Sequence, residues 1–79
     1  MKIKVLGTGC AKCIALEKKI RELVSQNSID AEVEKVTDLQ QIMAYGIMMT
    51  PGIVVNEKVV SFGKIPRDTE IMAWINGAK

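Results

Sequence analysis

The segment Cys10-Ala11-Lys12-Cys13 lies between a strand-like run, Ile3 to Leu6, and a helix-like run beginning at Ile14, and it holds every cysteine of the chain. Two residues between thiols match one helical turn, so both sulfurs can share a face while the first stands at the helix's amino end. The fold must therefore deliver a strand directly into a helix start. At such a start, unpaired backbone N–H groups and the positive end of the helix dipole favour a thiolate at Cys10, and Lys12 adds a nearby cation. Cys10 is the expected nucleophile, with Lys12 as an electrostatic tuner. Cys13, a turn further in on the apolar side, is expected to be less exposed and to resolve a mixed disulfide formed at Cys10.

Two other uses of the pair stand beside redox exchange. A purely structural disulfide would close so short a loop that it stabilises by only about 2 kcal/mol, and the chain has no further cysteines to cross-link distant segments. A soft ion such as Cu(I) is the stronger alternative, because two thiolates suffice for it. A closed zinc site wants four Cys or His ligands, and the chain has two cysteines and no histidine. Zinc would need carboxylates or a second subunit.

Seventy-nine residues with 48% hydrophobic content allow one small domain, residues 1–79, with a modest core. The net charge of +2 comes from acidic and basic residues mixed along the chain, so nothing points to nucleic acid. No apolar run reaches the roughly 18 residues of a membrane span, and Met1 to Leu6 is too short and alternating for a secretory signal. A cytoplasmic location is expected. In that reducing compartment a Cys-x-x-Cys pair is transiently oxidised or binds metal.

Lys2-Ile3-Lys4-Val5-Leu6 alternates polar and apolar residues, and Gly7-Thr8-Gly9 ends the pattern, which predicts a strand and a tight turn. From Cys13, Leu16, Ile20, Leu23 and Val24 recur at helical spacing opposite Glu17, Lys18, Arg21 and Glu22, predicting an amphipathic helix that ends at Gln26-Asn27-Ser28. Ala31 to Val36 reads as a second strand, parallel to the first because a helix separates them. Thr37 with Gln40 has a capping-box pattern, so a short helix is expected from there to about Gly46. Ile53-Val54-Val55 and Lys58 to Phe62 predict a hairpin turning on Asn56-Glu57, not the preferred Asn-Gly. Pro66 and Asp68 lead into a last helix that buries Ile71, Met72, Trp74 and Ile75 and ends at Gly77, with Trp74 as a core anchor.

The resulting order is β-α-β-α-β-β-α, an α/β fold with a four-stranded mixed sheet. With Cys-x-x-Cys at the first strand-helix turn and Thr50-Pro51 before the third strand, it resembles the minimal thioredoxin fold over nearly the whole chain. Gly7-Thr8-Gly9-Cys10-Ala11-Lys12-Cys13 together with Met49-Thr50-Pro51-Gly52 looks more closely like the small thioredoxin-like proteins called redox-active disulfide protein 2. The resemblance implies a cis Pro51 facing the reactive disulfide. It also implies that Thr50 offers main-chain hydrogen bonds to a bound peptide, as in strand addition. Gly63 matches a family glycine close to the active site, where a missing side chain permits close approach. Met48 and Met49, adjacent in an extended segment, point opposite ways, so the pair divides between core and an apolar contact surface.

The chain departs from ordinary thioredoxins in having Gly9 before Cys10 and Ala11-Lys12 between the cysteines, where they have Trp-Cys-Gly-Pro-Cys, and its first strand lacks their buried acid. Glutaredoxins share the short fold but have Thr-Val-Pro where this chain has Thr50-Pro51. Heavy-metal-associated domains also place Cys-x-x-Cys after the first strand, but in β-α-β-β-α-β order and often with methionine where this chain has Thr8. The order of elements favours thioredoxin. The resemblance thus implies a disulfide oxidoreductase acting on protein disulfides and recharged by a thioredoxin-reductase-type donor. A Cys10-Cys13 disulfide would be its redox group, with no separate cofactor and no bound metal. A monomer without nucleic-acid or membrane partners is expected.

Overall fold

The alternation in the first run does produce a strand, β1 (Lys2–Leu6), and neighbours on both sides make it an interior strand. The computed structural model describes residues 1–9, 11–47 and 49–77. Among these, the elements after β1 are α1 (Ala11–Gln26), β2 (Glu32–Val36), α2 (Leu39–Ala44), β3 (Gly52–Val55), β4 (Lys58–Phe62) and α3 (Asp68–Gly77). The sheet order is β2-β1-β3-β4, with β1 parallel to β2 and antiparallel to β3, and β3 antiparallel to β4. This is the mixed four-stranded α/β architecture expected from the sequence.

Period-two alternation sends Ile3 and Val5 of β1 and Ile53 and Val55 of β3 to one face, where they meet Leu16, Ile20 and Leu23 of α1 and Ile71 and Ile75 of α3. Full burial of each such aliphatic contributes about 1.5–3 kcal/mol. The other face carries Leu6, Val36 and Val54, packed under Ile42 of α2 and Ile47. Trp74 is half-buried and packs against the first cluster, in line with an anchoring role.

One local expectation changes. The N-cap of α2 is Asp38, not Thr37: its Oδ1 accepts the Gln40 N–H at 2.9 Å, and the helix starts one residue later than the capping-box pattern implied. The β3-β4 turn has both central residues left-handed, Asn56 at φ 49° and Glu57 at φ 69°, which is the I′ geometry that suits hairpin twist. Asn56 is held there by its N–H on the Lys2 carbonyl at 2.9 Å and by its Oδ1 accepting the Lys2 N–H at 3.1 Å.

Glu57 is held by a cross-sheet contact. Its carboxylate lies 2.9 Å from Lys4 Nζ, which also donates to the Tyr45 hydroxyl at 2.8 Å, and that hydroxyl donates to Glu57 at 3.3 Å. The Lys4 side chain is only 18% exposed, because it lies on an interior strand beside Gln41, Ala44 and Tyr45. Hydrogen bonds from Lys4 to Tyr45 and Glu57 raise the lysine's pKa, and the same ammonium lowers that of Glu57. No described helix is long and apolar enough to cross a membrane.

Candidate functional site

β1 feeds the cysteine turn through Gly7, which still belongs to the sheet: its N–H donates to the Val36 carbonyl at 2.9 Å. A Cβ at Gly7 would lie 2.8 Å from Cys13 Cβ and closer still to its sulfur. Cys13 therefore rests directly on the strand, 2% exposed, in the first turn of α1. It is disulfide-bonded. The inward position expected of Cys13 is the one observed, whereas Cys10 and Met48 lie outside the described residues.

The β1-β3 register ends with Leu6 paired to Gly52, so Gly7 follows and Pro51 precedes the last pair of that ladder. The Thr50-Pro51 peptide is cis and Pro51 is buried. Its carbonyl accepts the Gly63 N–H at 2.9 Å. Cys13, Gly7, Pro51 and Gly63 are thus gathered at one end of the sheet by three neighbouring strands. Gly63 has φ 78°, and a Cβ there would sit 3.2 Å from Met49 Cβ and 3.5 Å from its sulfur, so the glycine leaves room for the Met49 side chain.

Met49 itself is 59% exposed. Thr50 is half-exposed and lines an apolar cleft of about 270 Å³ with Leu39, Ile42, Met43 and Ile47. Lys12 is exposed on the first turn of α1. Ile14, Phe62 and Ile65, which the sequence reading did not single out as surface residues, are exposed as well. Ile14 is off the stripe of Leu16, Ile20 and Leu23, a signal that was present in the helical spacing. The described residues hold no group of three or more His, Cys, Asp or Glu placed to bind a metal ion.

Residues 1–76 match the thioredoxin domain family. The chain belongs to that family. It is 42% identical over 71 residues to a thioredoxin of Methanothermobacter thermautotrophicus, covering 90% of this chain and 92% of that protein. A thioredoxin of Methanocaldococcus jannaschii is 39% identical over 69 residues, covering 87% of this chain and 79% of its own length. The sheet end that carries Cys13 also bears the cis Thr50-Pro51 peptide.

Proposed function

We propose that this thioredoxin-family protein reduces protein disulfides through the thiols of Cys10 and Cys13. The Cys10 thiolate attacks one sulfur of the substrate disulfide. That S–S bond breaks, a mixed disulfide forms, and the first substrate thiol leaves after taking up a proton. Cys13 then gives up its proton and attacks the Cys10 sulfur, releasing the second substrate thiol and leaving a Cys10-Cys13 disulfide. Two electrons have passed to the substrate. A reductase-type dithiol donor returns them, and no cofactor beyond the cysteine pair takes part.

The observation that carries this reading is a disulfide-bonded Cys13 seated on Gly7 at the sheet end that bears cis Pro51. Thr50 offers its backbone to an extended substrate strand, Met49 and Gly63 flank it, and Lys12 adds positive charge beside the nucleophile. Within the family we place the chain with the redox-active disulfide protein 2 group, on Gly7 to Cys13 and Met49 to Gly52. We take it to work as a cytoplasmic monomer. The experiment is catalysed reduction of a protein disulfide by an external dithiol. Turnover above the dithiol alone supports the proposal, whereas no acceleration combined with specific Cu(I) transfer to an acceptor would replace it with metal carriage.

A further inference from the structure

The geometry points to Met49 as a reversible oxidation site that controls substrate access, an inference that rests on the disulfide-reductase reading above. The thioether lies against Gly63, 3.5 Å from where a Cβ would stand, and the segment it belongs to runs directly into Thr50 and Pro51. Gly63 is tied to the Pro51 carbonyl, so the sulfur sits on the backbone that frames the proposed substrate strand. At 59% exposure it is also open to a small oxidant.

Peroxide is the class of oxidant that fits. The sulfur of Met49 donates an electron pair to one peroxide oxygen, the O–O bond breaks, an S–O bond forms and water leaves. The sulfur is oxidised by two electrons and the peroxide is reduced. A sulfoxide reductase reverses the change, spending two thiols and yielding a disulfide and water. Cys13, held in a disulfide, offers peroxide no free thiol. A flexible apolar side chain thereby becomes polar beside the backbone that the proposed substrate strand meets, where apolar substrate surface must be desolvated against it.

The test treats the oxidised protein with dilute hydrogen peroxide and maps each methionine by fragmentation, while steady-state reduction of a protein disulfide is followed after the dithiol is restored. Met49 and the 64%-exposed Met43 are expected to gain oxygen before half-buried Met1 and Met72. The KM is expected to rise roughly tenfold at near-constant kcat, the size set by one polar group left without a partner. A methionine sulfoxide reductase should restore it. Met43→Leu should still lose affinity on oxidation, whereas Met49→Leu, whatever its own starting KM, should show the same value before and after peroxide.

Oxidation of Met49 no faster than Met72 would overturn the site, and an equal KM rise in Met49→Leu would overturn its role. Inactive protein before any peroxide would instead sink the reductase reading and the regulatory role with it, while the oxidation map still decides the modification.

Discussion

Replacing Gly7 by Ala tests whether Cys13 is seated on β1 as described. The added Cβ would stand 2.8 Å from Cys13 Cβ and closer to the sulfur, whereas carbon atoms settle at about 3.5–4.0 Å. Something must therefore yield by most of an ångström. Cys13 is 2% exposed and its own Cα lies 3.9 Å from the new atom, so the strain falls on the first turn of α1 and on the disulfide. Overpacking of this kind costs about 1–3 kcal/mol, of which a stiffer unfolded chain returns about 0.4–1 kcal/mol.

Because the contact falls short by most of an ångström, the cost lies in the upper part of that range, and a net loss of about 1–2 kcal/mol corresponds, for a domain of 79 residues, to a fall in Tm of about 4–16 °C. Strain borne by the disulfide form alone also makes the couple more oxidising, by about 20 mV for each kcal/mol. Thermal melts of the oxidised protein and a redox titration read the two effects separately. A Gly7→Ala variant that melts within about 2 °C of the parent with an unchanged potential would refute the close approach.

Ser61 is buried in β4, and its hydroxyl has no hydrogen-bond partner among the described residues. Ser61→Ala should therefore raise stability by about 1 kcal/mol in denaturant unfolding, and a clear loss would mean that the hydroxyl is satisfied after all. The Lys4-Glu57 pair predicts a pH dependence. Because Lys4 lowers the Glu57 pKa in the fold, the stabilisation from this carboxylate is present above the usual glutamate value of about 4.3 and is lost as pH falls through the lower folded value. Urea midpoints of the parent and Glu57→Gln should differ at neutral pH and converge in acid; a gap that widens in acid would contradict the pairing.

Much of the fold was legible because two periods suffice to specify it. Alternation marked β1, the spacing of Leu16, Ile20 and Leu23 marked α1, and the interposed helix required β1 and β2 to be parallel. Choosing between Thr37 and Asp38 as the cap of α2 was harder, since both side chains suit the role and only the backbone path decides which reaches Gln40 N–H. The Lys4-Tyr45-Glu57 contact joins residues far apart in sequence, and an alternating lysine reads as solvent-facing until the sheet order places its strand inside. At the site, Cys13 burial followed from the helix stripe and the cis Pro51 from resemblance. Gly7 read as a turn residue, because nothing in one dimension shows that a cysteine six positions on will occupy the space of its missing side chain.

The central claim is the division of labour between the two cysteines, and trapping tests it most directly. Cys13→Ser keeps the attacking thiol and removes the resolving one, so incubation with a disulfide-bonded protein should accumulate a mixed disulfide at Cys10, visible on non-reducing electrophoresis and cleared by dithiol. Cys10→Ser should trap almost nothing, because its remaining thiol at Cys13 is buried against Gly7. Equal trapping by the two variants, or trapping by Cys10→Ser alone, would contradict the assigned roles.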